Sequence, residues 1–354
     1  LTGSRDRPQD RLVYLANHRY QKIFMTESLD IAVVGAGPCG IAVGAAAKKK
    51  GLSVALYDKG CIASSLVKYP YYMTFFSTAE KLEIADVPFT IAGHKPTRQE
   101  ALVYYRRVVQ SYDIKVHQYH EILSLEGSAD DFTLASLNKY DQPEEIRAKY
   151  VVLATGGFNQ PNLLQVPGED LPKVSHYYQE AHPYYDQEVM VVGAGNSAVE
   201  CALELYRTGA KVSMVHFGLN IDKGVKPWVI PDITNRIKKK EIQVYWEHRI
   251  DKIYPDSVIL SDINSDDKKK VSNDWVLAMT GWSPDKTLLD TFHIKTDAKT
   301  GIPYHNPDTM ESDHKGIYIA GVLAAGKNAN KIFIENGKLH GSKVIQSVAD
   351  YLGI

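Results

Sequence analysis

The sequence predicts an α/β fold of two similar domains, with the second domain inserted into the first. The main observation is a repeat: a buried strand, a glycine-rich turn and a helix occur twice in the 354 residues, with turns that begin at Gly35 and Gly193. In addition, later segments of the chain predict strands that have no glycine-rich turn of this kind, and we assign these strands to the first domain. A chain of this length is also too long for one ordinary core and suggests about two domains.

The first copy spans residues 29–58. LDIAVVG (29–35) is an apolar run that ends in glycine, as in a strand buried on both faces. GPCGIAVGAAAKKKG follows, and its alanines, its cationic last turn and Gly51 predict a helix. SVALYDKG then predicts a short buried strand that ends in an acidic residue. The three pieces form one βαβ unit.

The second copy spans residues 188–218, with the strand EVMVVGAG, the helix NSAVECALELYRTG closed by Gly209, and the strand AKVSMVHFG. NDWVLAMTGWSPD (273–285) closes this domain as AKYVVLATGG (148–157) closes the first. The segment at 315–341 predicts a strand, a glycine and a helix. We assign it to the first domain, because no third dinucleotide-binding unit exists for it to complete. The predicted parts are an N-terminal extension (1–28), a first domain in two pieces (29–160 and 286–354) and an inserted domain (161–285).

Composition excludes several classes of protein. The 41 basic and 42 acidic residues give a net charge of −1, which argues against general binding to nucleic acid or to an anionic membrane. We find no run of about 18 apolar residues that would predict a membrane span. Cys39, Cys61 and Cys201 form neither a CxxC pair nor a metal-binding spacing, so we predict no metal site. Such cysteine usage is typical of a reducing compartment, and we expect a cytoplasmic protein.

The first turn, GAGPCG (35–40), fits the pattern G-x-G-x-x-G between a strand and a helix. Gly35 allows the tight turn, Gly37 lets a pyrophosphate approach the backbone, and Gly40 lets the helix pack closely on the strand. The free N–H groups of the helix favour phosphate. Asp58 ends the second strand and can accept hydrogen bonds from a ribose hydroxyl. These residues predict a dinucleotide site.

The second turn, GAGNSA (193–198), ends in Ala198, an accepted variant of the third glycine. Its second strand ends at His216 instead of an acid, so no carboxylate at that position repels a 2′-phosphate. This favours NADP over NAD, and Lys223 and Lys226 could supply the opposite charge. The alternative is that His216 only ends a strand.

Two dinucleotide sites in one chain predict a flavin enzyme. One site would hold FAD, and the other would bring a nicotinamide to the flavin so that hydride can pass. We assign FAD to the first domain and NAD(P)H to the inserted one, so both domains are expected to be Rossmann-like.

The chain resembles the thioredoxin-reductase-like flavoproteins and, more closely, the bacillithiol-disulfide reductase family. The broad resemblance rests on both turns and on ATGG (154–157), PGED (167–170) and GIYIAG (316–321). The closer one covers nearly all of residues 29–354 and rests on GPCG (37–40), KYPYYMTFFSTAEKLEIADVPF (68–89), GAGNSAVECALEL (193–205), VKPWVIPD (225–232) and IFIENGKLHG (332–341).

The resemblance implies an FAD enzyme that uses NADPH to reduce the disulfide of a low-molecular-weight thiol without a CxxC pair. It also implies that Cys39, in GPCG, is the redox thiol. The chain departs from the pattern at two places. Val322 follows Gly321 where the superfamily has Gly-Asp, and Phe217 stands where relatives carry an arginine beside the second strand end.

The turns and the resemblance together predict which residues contact FAD or NADPH. We expect a small-molecule disulfide as the partner, neither nucleic acid nor membrane, and a homo-oligomer. The predicted cofactor contacts are Gly35, Gly37, Pro38, Cys39, Gly40, Asp58, Lys59, Ser65, Thr74, Phe75, Ala154, Thr155, Gly156, Gly193, Gly195, Asn196, Ser197, Ala198, His216, Lys226, Gly281, Gly321, Val322, Lys331 and Ile332.

Two questions stay open at the level of sequence. A helix N-terminus lowers the pKa of the Cys39 thiol, whereas nearby phosphates raise it, and a small residue packed in a crowded turn explains the same cysteine. The alternatives to a disulfide reductase are a flavin monooxygenase, suggested by GAGNSA and LPKVSHYYQEA (171–181), and a redox sensor with slow turnover.

Overall fold

A computed structural model describes residues 28–158, 160–328 and 331–354 of the chain. The predicted N-terminal extension therefore lies, except for its last residue, outside the described residues. Within the described part, the strands are β1 (Leu29–Val34), β2 (Val54–Asp58), β3 (Lys115–Gln118), β4 (Glu121–Ser128), β5 (Asp131–Leu137), β6 (Pro143–Leu153), β7 (Gln160–Pro161), β8 (Val174–Ser175), β9 (Glu188–Val192), β10 (Lys211–His216), β11 (Gln243–Trp246), β12 (His248–Tyr254), β13 (Ser257–Asp262), β14 (Lys268–Ser272), β15 (Trp275–Ala278), β16 (Trp282–Ser283) and β17 (Ile317–Ile319).

The described helices vary widely in length. They are α1 (Pro38–Lys49), α2 (Ser64–Val67), α3 (Ala79–Leu82), α4 (Arg98–Ser111), α5 (Asn196–Thr208), α6 (Ile230–Lys238), α7 (Thr287–Thr291), α8 (Ile334–Gly337) and α9 (His340–Leu352), and 3₁₀ segments lie at His182–Tyr184 and Gly321–Ala325. In the part of the chain that the structure describes, no helix has the length and apolarity needed to cross a membrane.

The chain divides into two compact units. The first takes the described residues up to Val67, then Thr74–Gln160 and Ser283–Ile354, and the second takes Lys68–Met73 and Pro161–Trp282. The second unit thus lies within the first along the chain, as the predicted insertion requires.

The first unit is built on a seven-stranded sheet in the order β3-β2-β1-β6-β5-β4, with β17 also paired to β6. Strand β2 pairs in parallel with β1 and β3, and β6 pairs in parallel with β1 and β17. Strand β5 pairs in antiparallel fashion with β4 and β6. The eleven residues of β6 allow both patterns: its later half pairs with β1 and its earlier half with β5. Strand β17, in the segment at 315–341, thus joins the sheet that contains β1 and β2.

Helix α1 is the predicted helix after the first turn. It begins with Pro38, whose missing N–H is not needed there, and it has Lys48 and Lys49 in its last turn, where cations interact favourably with the helix dipole. It packs against α9 at Gly341, where an added Cβ would lie 2.9 Å from the backbone of Ala42. This close approach brings the C-terminal part of the chain onto the first turn.

The second unit contains an all-parallel sheet in the order β11-β10-β9-β15-β8 and a three-stranded antiparallel sheet β12-β13-β14. Helix α5 ends at Gly209, whose φ of 99° is left-handed and suits glycine. Strand β9 is almost wholly buried, as its apolar sequence predicts. The predicted α/β class with two Rossmann-like units, one inserted in the other, is confirmed.

Candidate functional site

The glycines of the first turn occupy the positions that their roles require. Gly35 has a φ of 112°, and a Cβ there would lie 2.4 Å from the carbonyl oxygen of Ala154. A Cβ at Gly40 would lie 2.0 Å from the Gly35 oxygen, so both positions need glycine. A Cβ at Gly37 would meet nothing within 4 Å. The turn is therefore closed on its strand side and open at Gly37, where a pyrophosphate would approach.

Asp58, at the end of β2, is buried and holds the turn together. One carboxylate oxygen accepts a hydrogen bond from the Ala36 N–H at 2.8 Å. The other accepts from the Gly60 N–H at 2.7 Å and from the Ser64 hydroxyl at 3.2 Å. Asp58 thus orders the backbone of the turn.

Cys39, in the first turn of α1, lies against the C-terminal part of the chain. A Cβ at Gly321 would lie 3.0 Å from its sulfur, and one at Gly337 would lie 2.9 Å from it, so these glycines make room for the thiol. Burial, and after it the charge of Glu335, raises the pKa of Cys39 to about 12. Glu335 also accepts a hydrogen bond from the Ser77 hydroxyl. In these surroundings Cys39 is protonated at neutral pH.

His340 orders the segment in which the expected Gly-Asp pair is missing. Its Nδ1 accepts a hydrogen bond from the Gly321 N–H at 3.1 Å, at the start of the 3₁₀ segment. Burial, together with the charges of Lys343 and His305, lowers the pKa of His340 to about 4. The ring is therefore neutral at physiological pH, with its proton on Nε2. Val322, predicted as a cofactor contact, follows directly and is half-buried.

The other predicted residues of the first unit are less closely grouped. Lys59 forms an ion pair with Asp285 at 3.6 Å, and Ser65 lies in α2 next to Ser64. Thr155 and Gly156 follow β6, and the Ile332 side chain lies near Gly337. Lys331 is exposed, and its carbonyl accepts from Asn336. Thr74 and Phe75 lie beside the residues just before α4, through a bridge to Thr97 and a hydrogen bond to Pro96.

The second turn repeats the geometry of the first. Gly193 has a φ of 118°, and a Cβ there would lie 2.7 Å from the carbonyl oxygen of Met279, which follows β15 as Ala154 follows β6. Ala198 is buried beneath this turn. A Cβ at Gly195 would approach only the carboxylate of Asp222, at 3.3 Å. The second turn is therefore also open at its middle glycine.

Residues around the second turn are tied to the loop after β10. Asn196 donates to the Gly224 carbonyl and accepts from the Lys226 N–H, both at 2.9 Å. The Lys226 ammonium forms an ion pair with Glu200 of α5. Ser197 is exposed in the first turn of α5, and Gly281, at a φ of 86°, accepts from the Asn162 N–H.

His216, at the end of β10, is 6% exposed. Its Nε2 lies 3.5 Å from a carboxylate oxygen of Asp222, and its buried Nδ1 has no hydrogen-bond partner among the described residues. Burial lowers the pKa of His216, and the charge of Arg249 adds to this effect, while Asp222 opposes it. The strand end thus carries an imidazole where an NAD-specific site would have a carboxylate.

Each unit therefore has a glycine turn at a helix N-terminus with open space at the middle glycine, which fits a bound dinucleotide. FAD fits the first unit, where Asp58 would hold the ribose. A nicotinamide dinucleotide fits the second. When bound, the flavin would accept hydride from the nicotinamide and pass the electrons on.

The chain belongs to the pyridine nucleotide-disulphide oxidoreductase family, whose model matches residues 32–321. It is an FAD-dependent oxidoreductase that uses NAD(P)H, and membership favours a disulfide reductase over the monooxygenase alternative.

Several relatives resemble the chain over nearly its whole length. Bacilliredoxin reductase Bdr of Bacillus subtilis (strain 168) is 38% identical over 319 residues, which cover 90% of this chain and 96% of the relative. The solved bacillithiol disulfide reductase Bdr from Bacillus cereus has a TM-score of 0.89 and 37% identity, with 92% of this chain and 100% of that chain covered. The one from Staphylococcus aureus has a TM-score of 0.86 and 38% identity, with 92% and 99% covered. The resemblance inferred from the sequence is confirmed.

Sequence reasoning did not identify Glu335, His340 or Arg249 as site residues. Glu335 and His340 lie in or next to IFIENGKLHG, the segment that supported the resemblance, but nothing local marks their contacts with the first turn. Arg249 lies in a strand after the second copy, in a segment that no motif singled out.

Proposed function

We propose that the protein uses NADPH to reduce the disulfide of a low-molecular-weight thiol, with bacillithiol disulfide as its substrate. The observation that supports this most is the full-length similarity to proteins named bacillithiol disulfide reductase, at 37–38% identity. In the overall reaction NADPH and one proton convert one disulfide into two thiols and NADP⁺, so two electrons pass to the sulfur–sulfur bond.

We further propose that residues 29–160 and 286–354 hold FAD and that residues 161–285 hold NADPH. The fit of the two glycine turns supports this assignment. The predicted set of cofactor contacts stays a proposal in the same sense, and so do the cytoplasmic location and the homo-oligomer.

Cys39 is the thiol that we propose to attack the substrate. In that step its thiolate forms a bond to one sulfur of the disulfide, the bond between the two substrate sulfurs breaks, and the other half leaves as a thiolate that takes up a proton. The sulfur must first lose its own proton, which the raised pKa of Cys39 disfavours.

The same pKa supports a second candidate, a redox sensor that keeps its flavin but turns over slowly. Two observations separate the candidates: the rate of anaerobic NADPH oxidation with bacillithiol, glutathione and coenzyme A disulfides in parallel, and the rate of flavin reduction. We expect sustained turnover with bacillithiol disulfide. Flavin reduction without turnover on any disulfide would instead indicate the sensor.

A further inference from the structure

The end of β10 is the place where a Rossmann unit distinguishes NADP from NAD, because the ribose next to the adenine lies there. His216 fills the position that a carboxylate takes in NAD-specific sites. Phe217 follows it with an exposed ring, and the two ring centroids lie 4.5 Å apart. Neither side chain carries the fixed positive charge that a 2′-phosphate requires.

The structure supplies a positive charge from another strand. The guanidinium carbon of Arg249, in β12, lies 4.7 Å from the centroid of the Phe217 ring. A guanidinium stacks well on an aromatic face, and such a contact restricts its position. Arg249 is exposed, and within the described ranges no carboxylate lies within ion-pair distance of it. Its hydrogen-bonding groups are therefore available to a ligand.

The sequence proposed two lysines for this charge: Lys223 is exposed in the loop after β10, and Lys226 is less available. The Lys226 ammonium is already paired with Glu200, and the backbone of Lys226 is held by Asn196. Asp222 is the carboxylate that would oppose a phosphate here, and one of its oxygens lies 3.5 Å from Nε2 of His216. A planar guanidinium can bind a phosphate with two parallel hydrogen bonds, which an ammonium cannot do.

We propose that Arg249, positioned by the ring of Phe217, binds the 2′-phosphate of NADPH and is the residue that selects NADPH over NADH. The chain thus replaces an arginine next to the strand end by an aromatic ring and a guanidinium from β12. This inference rests on the proposed function, since it takes the second turn as the nicotinamide dinucleotide site.

The test is a calorimetric titration of the flavin-loaded full chain with 2′,5′-ADP and, separately, with 5′-AMP, which lacks the 2′-phosphate. We expect Arg249→Gln to weaken 2′,5′-ADP binding by about tenfold or more, as for a lost charge-assisted hydrogen-bond pair, and to change 5′-AMP binding by less than about twofold. Arg249→Lys should recover only part of the loss, because it keeps the charge without the fork.

Lys252→Gln is the matched control. Lys252 lies in the same strand, is exposed, and has its ammonium 4.7 Å from the centroid of the Tyr254 ring. The Lys252→Gln variant should bind 2′,5′-ADP and 5′-AMP with affinities within about twofold of wild type. This result would separate a specific contact of Arg249 from a general effect of positive charge. Equal losses in Arg249→Gln and Lys252→Gln, or an unchanged affinity in Arg249→Gln, would overturn the proposal.

A rescue experiment tests the geometry. Phe217→Arg in the Arg249→Gln background should restore the preference for 2′,5′-ADP, because it returns a guanidinium to the strand end. No recovery would place the phosphate elsewhere and overturn the proposal. The outcome is distinguishable from failure of the proposed function: if wild-type protein binds both nucleotides equally but NADH supports disulfide reduction, the inference about Arg249 fails and the reductase stands.

Discussion

The two glycine turns of this chain have the same backbone but different surroundings. In each, the first glycine faces a carbonyl oxygen just after a parallel strand, Ala154 in one case and Met279 in the other. The residue at the second position of the following helix is Cys39 in the first turn and Ser197 in the second. Cys39 lies under Gly321 and Gly337, whereas Ser197 is exposed.

This difference comes from the segment that returns to the first unit. After β17 the chain runs over the first turn through Gly321, α8 and α9, and within the second unit no described segment covers Ser197 in the same way. A covered turn suits a cofactor that stays bound through many reactions. An open turn suits one that must enter and leave in each cycle, as a hydride donor does.

The largest expected effect comes from the glycines themselves. Gly40→Ala places a Cβ 2.0 Å from a backbone oxygen, so we expect the first unit to lose about 1–3 kcal/mol of stability or more and to bind no FAD. Gly37→Ala meets no protein atom, so the flavin-free protein should melt normally and yet fail to retain FAD, because the methyl group takes the space of the pyrophosphate. Flavin released per chain and the Tm of the flavin-free protein measure both effects.

The matched substitution in the second turn tests whether the two units bind their cofactors independently. Gly195→Ala should leave the flavin content unchanged and weaken the binding of NADPH. A colourless Gly195→Ala protein, or a Gly37→Ala protein with a full complement of FAD, would contradict the assignment of the two cofactors to the two turns.

A second prediction concerns turnover at the covered position. If Cys39 is the attacking thiol, Cys39→Ser should abolish disulfide reduction while NADPH still reduces the flavin at the normal rate. Cys61→Ser is the control, since Cys61 is also a half-buried free thiol, and it should keep full turnover. Stopped-flow flavin reduction and steady-state NADPH oxidation give the two rates. Full turnover by Cys39→Ser would assign this residue to packing between Gly321 and Gly337.

A third prediction uses Ser197 as an uncovered counterpart of Cys39. At pH 8 a thiol with a pKa of about 12 is deprotonated in about one molecule in ten thousand, whereas an ordinary exposed thiol is about a quarter deprotonated. The cysteine of a Ser197→Cys variant should therefore react with iodoacetamide at least about a hundredfold faster than Cys39 in the same flavin-free chain. Peptide mass spectrometry over time resolves the two sites.

Removing the charge of Glu335 should change the alkylation rate of Cys39 in a predictable direction. Because a nearby carboxylate disfavours the thiolate, Glu335→Gln should lower the pKa of Cys39 and speed its alkylation at a fixed pH. The Ser197→Cys rate should not change. Equal rates at the two positions in the parent chain would show that the cover over the first turn does not control the thiol.

A fourth prediction concerns the contribution of the Asp58 carboxylate to FAD binding. Asp58→Ala removes the acceptor of the Ala36 and Gly60 N–H groups, so FAD binding should weaken by about ten- to a hundredfold, the range for hydrogen bonds to a charged group. Asp58→Asn keeps one acceptor oxygen and should lose less. Fluorescence titration of the flavin-free protein with FAD measures both, and an unchanged affinity in Asp58→Ala would remove the role of this carboxylate.

The sequence could predict what depends on neighbours along the chain. The apolar runs, the glycine spacing and the helix stop at Gly209 define both βαβ units, and the structure has each of them. The contacts that distinguish the two turns join residues far apart in the chain, such as Cys39 with Gly337 and Phe217 with Arg249. No local pattern predicts such a pair, because Gly337 alone looks like an ordinary glycine and Arg249 alone looks like a surface arginine.

The smallest effect expected at neutral pH is a pH dependence confined to the covered turn, because it develops only as the pH falls below about 6.5. The pKa of His340 is lowered to about 4 in the folded chain, so the unfolded chain binds the extra proton between about pH 6.5 and 4 and the folded chain does not. Stability from this group is complete above pH 6.5 and falls by about 1–3 kcal/mol as the pH drops to 4, because protonation of Nδ1 breaks its bond to the Gly321 N–H. Urea denaturation of wild type and His340→Gln across this range isolates the group, since the two proteins differ only at this position. The variant should have a flatter profile, because glutamine has no proton to gain in this range. Parallel profiles for wild type and His340→Gln would mean that the ring does not hold the start of the 3₁₀ segment.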